Sequence, residues 1–461
     1  MTKKASSDFA IRVINMDGNA ENIVLYDEIP FGHWGIINKE NFRREILLEY
    51  QDGHSDEGIA AASALSLEEL VQKIDYEDKV IETNAVMQVL RKVPKKSWDF
   101  TLSRNINFHS NGSRIIVPDK YEGRFALISA VRGIRPKEYS EAKEEKKETT
   151  DLFASIISGN DFAIVVSKGA SENDSPFSIF PKKENLSSEK AVTIINRFPA
   201  YVRVIDKEVE RYIKPRINNS FTKISKGINL ITIPSSYYEK LEDAPAGDIA
   251  AMLESMKCAL LYVRREAANR GISYIPVYPF FNIGKKVGGS LKRLHAQAYV
   301  DLNQDGHGST MEDILQAFDN QRSANCCKFC QPSEEQKKEF LIHENEYCSV
   351  YATRAPIRNY DLKIVPKRHV EDITMLTEDE FLGLGDALRK LSSALNTIGA
   401  DPDRNVLLYQ RPFGYNSYFH MFLQVLPFEN VGGMEMMDES RVVRIDPADF
   451  AQNMRKIISS S

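Results

Sequence analysis

Apolar and polar positions along the chain follow two rhythms, alternation every second residue and recurrence every three or four, and one succession of these rhythms occurs twice. The first copy predicts a strand over about Ile228 to Ile233, a proline at Pro234, a long helix from about Asp248 to Asn269 closed by Gly271, and a strand carrying His295. The second predicts a strand over about Leu362 to Val365, Pro366, a helix from about Glu378 to Thr397 closed by Gly399, and a strand carrying His420. Pro234 to His295 spans 61 residues and Pro366 to Phe422 spans 56, so two copies of one α+β unit are expected. Earlier in the chain, Ser66 with Glu69 forms a capping box ahead of a helical pattern that Pro94 stops. A strand pair is expected around Ser113 to Val117 and Arg124 to Val131, turning at Tyr121 to Gly123. From Lys137 to Asp151 charges alternate with almost nothing to bury, as in an exposed linker or solvated helix.

Candidate chemistry concentrates between Phe280 and Leu302, where a glycine-rich turn and a basic cluster precede strand-like alternation. Side chains two apart share a strand face, so Arg293, His295 and Gln297 form one polar row. Gly288, Gly289 and Ser290 allow close backbone approach and their N–H groups suit an anion, while Lys285, Lys286 and Lys292 offer neutralising charge. A neutral imidazole with its second nitrogen held by a hydrogen bond can attack phosphorus, and a neighbouring amide can donate to the developing charge. His295 and Gln297 suit those roles; a buried, hydrogen-bonded histidine in a strand is the plainer alternative. Arg132 and Arg135 either clamp a phosphate or pair with the acidic segment that follows, and Asn282 either binds a phosphate or ribose or caps the turn before Gly284. His307, in an Asp-Gly-His-Gly turn, is expected on the surface.

Asn282-Ile283-Gly284, Gly288-Gly289-Ser290 and His295-Ala296-Gln297 resemble the active-site segment of galactose-1-phosphate uridylyltransferases and their relatives in the histidine triad superfamily. Phe125 to Pro136 and Asn196-Arg197-Phe198-Pro199-Ala200 resemble earlier motifs of that family, which contribute to nucleotide binding. The resemblance runs from about Arg124 to Pro427. It implies that His295 becomes covalently nucleotidylated, and that Asn196, Asn282, Ser290 and nearby Lys or Arg hold phosphate oxygens.

Cys327-Lys328-Phe329-Cys330, Pro366 to His369 and Phe419 to Gln424 resemble the successive motifs of a second histidine-triad unit. Two cysteines three apart can grip one side of a tetrahedral zinc or be plain thiols; the family positions of His369 and His420 imply the zinc. In this copy Phe422 stands where the family has its nucleophile, so it should be catalytically silent. In the first copy Ser175, Ser178, Tyr237 and Arg293 stand where the family has metal ligands, so no zinc is expected there, and Arg293 would add a guanidinium near the substrate phosphates. One copy keeps the chemistry and the other keeps a closed, structural metal site.

Composition changes this picture little. At 461 residues, 42% hydrophobic and 27% charged, the chain has room for two or three domains. The expected division is an extension over 1–105, a catalytic half over 106–315 and a zinc-binding half over 316–461. A net charge of −5 gives no case for nucleic acid or an anionic membrane. No run suits a membrane span or a secretory signal, so a cytoplasmic location is expected. Five cysteines, three of them at Cys326, Cys327 and Cys330, point to metal rather than disulfides. The fold class expected is α+β, two tandem units each with an antiparallel sheet and a long helix. The function the resemblance implies is nucleotidyl transfer from a nucleoside diphosphate sugar to a sugar phosphate, as in a uridylyltransferase. Phosphorolysis of nucleotide sugars or dinucleoside polyphosphates, and nucleotide-binding regulation without catalysis, are the alternatives; a homodimer is left open.

Overall fold

Apolar residues at helical spacing on two long segments, and β-branched runs beside them, build one sheet with two helices across it. The computed structural model describes residues 151–461 except 162, 168–175, 177–183, 197–199, 202–221, 224–225, 305, 323–326, 417, 439–440 and 461, and before residue 151 only the backbone of seven short strands. The sheet has nine antiparallel strands: β1 (Ala191–Ile195), β2 (Gly227–Pro234), β3 (Val277–Ile283), β4 (Ala296–Asp301), β5 (Leu341–Glu344), β6 (Cys348–Ala352), β7 (Leu362–Pro366), β8 (Arg404–Tyr409) and β9 (Phe422–Pro427). Their order is β5, β6, β7, β9, β8, β3, β4, β2, β1. Read outward from the centre, each half repeats the other, β3-β4-β2-β1 against β8-β9-β7-β6, and the halves join where β3 pairs with β8, Phe280 opposite Leu407. The tandem α+β architecture expected from the sequence is the one present.

Among the described residues the helices are α1 (Leu152–Ile157), α2 (Ala246–Asn269), α3 (Ser309–Arg322), α4 (Glu334–Phe340), α5 (Glu378–Thr397), α6 (Gly433–Asp438) and α7 (Pro447–Ser459). Helices α2 and α5 are the two long ones of the repeat. On α2, Ile249, Met252, Leu253, Met256, Leu260 and Val263 form the buried stripe; on α5, Phe381, Leu384, Leu388, Leu391 and Leu395 do. Thr377 and Glu380 cap α5 reciprocally, and Gly271 and Gly399 end their helices in the left-handed conformation at φ +73° and +80°. The helices approach closely because Gly385 has no side chain: a Cβ there would lie 2.4 Å from the Ala246 carbonyl oxygen. Both stripes meet Ala296, Ala298 and Val300 of β4 and Leu423 and Val425 of β9 in one continuous core. The opposite sheet face of the first half is covered by α1, whose Phe153, Ile156 and Ile157 pack on Val192, Ile194, Ile231 and Ile233. His295 is at the margin of this smaller cluster.

Some expectations need correction. His295 and His420 precede their strands, by one and two residues, rather than standing within them. Strands β3 and β8 were not foreseen; Pro279 within β3 hides it, because proline normally marks a strand edge. Ser113–Arg114 pairs with His109–Ser110, and Phe125–Leu127 pairs with Ser103–Asn105; the rest of the two segments expected to pair with each other lies outside the described residues. Asp151, expected to end a solvated segment, instead caps α1 by accepting a hydrogen bond from the Phe153 N–H. The helix expected between Ser66 and Val93 lies outside the described residues.

Candidate active site and metal centre

The main-chain pairing of β3 with β4 sets Phe281 opposite Ala296, and the next positions along the two segments are Asn282 and His295. Leu294, Ala296 and Ala298 enter the main core, so Arg293, His295 and Gln297 project from the other face, as the alternation predicts. All three are at least nine-tenths buried. His295 Nδ1 lies 2.8 Å from the carbonyl oxygen of Arg293; a proton on Nδ1 donates to that oxygen and leaves the lone pair on Nε2. Gln297 Nε2 is 3.5 Å from His295 Nε2, and the Phe153 ring packs on the imidazole with centroids 5.6 Å apart. The site therefore presents an oriented imidazole nitrogen with an amide beside it.

The glycine turn is built against the second half. A Cβ at Gly284, whose φ is +93°, would overlap the Asp403 carboxylate, and one at Gly289 would lie 2.5 Å from the Gly284 carbonyl oxygen. Asp403 accepts from the Lys286 N–H at 2.8 Å, and Lys286 Nζ pairs with Asp401 at 2.6 Å. Asn405 donates to Asn282 Oδ1 at 2.8 Å, which turns the Nδ2 end of Asn282 toward Gly288. Ser290 and Lys292 are half-buried on the way to His295. Asn196 donates its N–H to the Asn229 carbonyl, and the Asn229 side chain accepts from the N–H groups of Ala200 and Tyr201. Arg132 and Arg135 lie outside the described residues.

Arg293 differs from expectation. Its NH2 donates to the carbonyl oxygens of Pro234, Ser235 and Ser236 at 2.6, 2.7 and 3.2 Å, and its NH1 pairs with Asp151 at 2.5 Å. The guanidinium is engaged with main chain and a carboxylate rather than offered to a phosphate. Its Cζ lies 5.8 Å from the ring of Tyr237.

In the second half, one ligand atom each from Cys327, Cys330, His369 and His420 lie within 4.8 Å of one another. Cys327 Sγ and Cys330 Sγ are each 3.4 Å from His420 Nδ1, and Cys330 Sγ is 3.3 Å from His369 Nδ1. Tetrahedral Zn–S and Zn–N bonds of about 2.3 and 2.0 Å would separate S and N by roughly 3.5 Å, so the four fit such an ion. His420 Nε2 donates to the Pro366 carbonyl at 3.0 Å, which fixes the tautomer that points Nδ1 at the site. Burial and the neighbouring His369 bring the His420 imidazole down to about 4, and burial lowers His369, so both are neutral donors at neutral pH. The Pro366 carbonyl corresponds to that of Pro234. One half directs a histidine at this carbonyl, the other a guanidinium.

Phe422 stands in the second half where His295 stands in the first. Tyr409 stacks on it with centroids 4.8 Å apart, and Gln424, the counterpart of Gln297, donates to both oxygens of Asp361 at 3.0 and 2.9 Å. The phenyl ring has no lone pair with which to attack phosphorus.

No family model matches the sequence. ADP-glucose phosphorylase of Arabidopsis thaliana is 24% identical over 358 residues, covering 75% of this chain and 94% of that protein. A solved uridylyltransferase superimposes with a TM-score of 0.53 at 18% identity, covering 78% of this chain and 99% of that one. A uridylyltransferase mutant gives 0.51 at 20% identity over 59% and 89%. The fold is that of these solved uridylyltransferases. Within this uridylyltransferase-like frame, sequence reasoning missed Asp151, Phe153, Asn229, Asp403 and Asn405. Only Asn229 left a signal, since it stands five residues before Pro234 as Asp361 stands five before Pro366. His307, expected on the surface, is buried between Tyr274 and Glu312. Among the described residues, no helix is long and apolar enough to cross a membrane.

Proposed function

We propose that the chain transfers a nucleotidyl group through a covalent intermediate on His295. The orientation of His295 carries this reading: Nδ1 is held by a carbonyl 2.8 Å away, and Nε2 lies beside Gln297. Nε2 attacks the α-phosphorus of a nucleoside diphosphate sugar, forming a P–N bond as the P–O bond to the β-phosphoryl group breaks and sugar 1-phosphate leaves. An oxygen of the second substrate, inorganic phosphate or a sugar 1-phosphate, then attacks the same phosphorus and breaks the P–N bond, returning the electron pair to Nε2. Gln297 donates to the non-bridging oxygens as charge develops, and Asn196, Asn282, Ser290 and Lys292 bind phosphate, with Arg132 and Arg135 as further cations; the N–H groups expected to bind an anion at Gly288 and Gly289 donate instead to the carbonyls of Lys285 and Gly284 and close the turn. The similarity to ADP-glucose phosphorylase over nearly all of that protein's length favours inorganic phosphate as acceptor.

In this reading zinc is held by Cys327, Cys330, His369 and His420 as a closed structural site in the half over 316–461, and 106–315 forms the catalytic half. The zinc supplies cross-linking of two loops and no Lewis acid. The test is intact-mass analysis after incubation with ADP-glucose or UDP-glucose. A nucleotidyl adduct that is absent in His295→Ala and is discharged by inorganic phosphate supports the phosphorylase. Discharge only by a sugar 1-phosphate supports the uridylyltransferase, and absence of any adduct from the wild type overturns the covalent mechanism.

A further inference from the structure

The silent half contains a cavity of about 330 Å³, within the size range of small-molecule sites, lined by Lys328, Arg354 and Lys363, by the single carboxylate Glu335, and by Thr353 and Phe329 among others. Its position follows from the repeat. In the first half Pro234 pairs with Ala191, and Asn196 lies five residues beyond Ala191; in the second, Pro366 pairs with Cys348, and Thr353 lies five beyond Cys348. Thr353 therefore occupies the place of Asn196, and Arg354-Ala355-Pro356 follows it as Arg197-Phe198-Pro199 follows Asn196 in the sequence. The buttress behind each turn is equivalent as well: Asn229 accepts from the Ala200 N–H, and Asp361, at the matching position, accepts from the Ile357 N–H at 3.0 Å.

The chemistry of the two places differs in a consistent direction. Where the first half has an imidazole, Lys363 Nζ stands 5.1 Å above the ring of Phe422, and Lys328 enters from the loop between Cys327 and Cys330. Three cations facing one carboxylate favour an anion with several oxygens, and the aromatic wall at Phe329 suits a flat ring.

We propose that this cavity is a second, non-catalytic site that binds a phosphate group, presented by a nucleotide or as free phosphate. Lys328, Arg354 and Lys363 contact the phosphate oxygens, and Thr353 borders them. The placement relies on the internal repeat and on no catalytic step.

The test uses the full-length, zinc-replete protein, with binding of AMP and, separately, of inorganic phosphate measured by equilibrium dialysis. Wild type is compared with the Lys363→Met, Arg354→Met double variant and with Lys363→Arg. The expected result is one class of sites whose affinity falls at least about tenfold in the double variant and is retained in Lys363→Arg. AMP alone at that class identifies a nucleotide site, and phosphate competing equally well identifies a free-phosphate site. Binding of both ligands that is unchanged in the double variant overturns the proposal. Nucleotidyl labelling of His295 is read in the same samples, so a failure of the catalytic mechanism is seen separately from a failure of this pocket.

Discussion

The Asp151 carboxylate pairs with the Arg293 guanidinium at 2.5 Å, tying the first residue of the α1 cap to the residue whose carbonyl orients His295. The same guanidinium gathers three carbonyls of the Pro234 turn, the turn that in the other half carries a metal-site histidine contact. A guanidinium thus cross-links the loops around His295 where the second half is suited to a metal ion.

Removing that cation should loosen the site before it touches the chemistry. Arg293→Ala strands a largely buried carboxylate and three carbonyls, and a loss of about 3 kcal/mol in unfolding free energy is expected. Asp151→Asn keeps the helix cap but removes the charge, and should cost less. Urea unfolding read alongside the rate of His295 labelling checks both: labelling slows in Arg293→Ala through misplacement of the imidazole. An unchanged rate in a folded Arg293→Ala protein would sink the positioning role.

Gln297 should act on the transition state rather than on the fold. Its amide is buried beside His295 Nε2, and loss of one donor to developing phosphoryl charge typically costs about 10²–10³ in rate. Gln297→Ala should lower kcat by that order with KM little changed, measured as steady-state turnover of ADP-glucose with inorganic phosphate.

The sequence carried the repeat, its helices and the polar row because each depends on local spacing, and the glycines at 271 and 399 mark their helix ends by conformation alone. The fate of Arg293 was not legible. Its partners are Asp151, 142 residues away, and main-chain oxygens of a turn, which carry no residue-type signal. Asn405 and Asp403, which hold the glycine turn from the other half, depend on β3 meeting β8, and Pro279 concealed that strand. His307 misled for the opposite reason: its glycine-flanked setting reads as surface, yet Tyr274 and Glu312 close over it from distant and neighbouring segments.

The second half should depend on its metal for stability and not for chemistry. One equivalent of zinc per chain is expected by elemental analysis, falling to near zero in the Cys327→Ser, Cys330→Ser double variant. Chelation should lower Tm, while His295 labelling at a temperature where the apo protein stays folded continues. Loss of labelling in folded, zinc-free protein would show that the metal does more than cross-link.

Cysteine reactivity should follow burial. Cys348 is fully buried with its Sγ near the Gly383 carbonyl, and burial pushes its thiol up to about 12. Cys258 is exposed on α2. Mass-spectrometric mapping after alkylation at pH 8 should find Cys258 modified in the native protein and Cys348 only after unfolding.

Acid should weaken the fold through His307. Its imidazole is buried, Nε2 donates to Glu312 at 2.6 Å, and Nδ1 meets the Tyr274 hydroxyl, an arrangement that a neutral ring satisfies. Burial lowers its pKa below the ordinary value of about 6.5, outweighing the raising effect of Glu312. In the window between the lowered folded value and about 6.5 the unfolded chain binds the proton more readily, so stability falls as pH drops through it. His307→Gln removes this proton uptake. The variant should start less stable at pH 7.5 but lose less of its stability than wild type between pH 7.5 and 5.5, measured by urea unfolding at each pH. Equal slopes in the two proteins would assign the acid sensitivity to other groups.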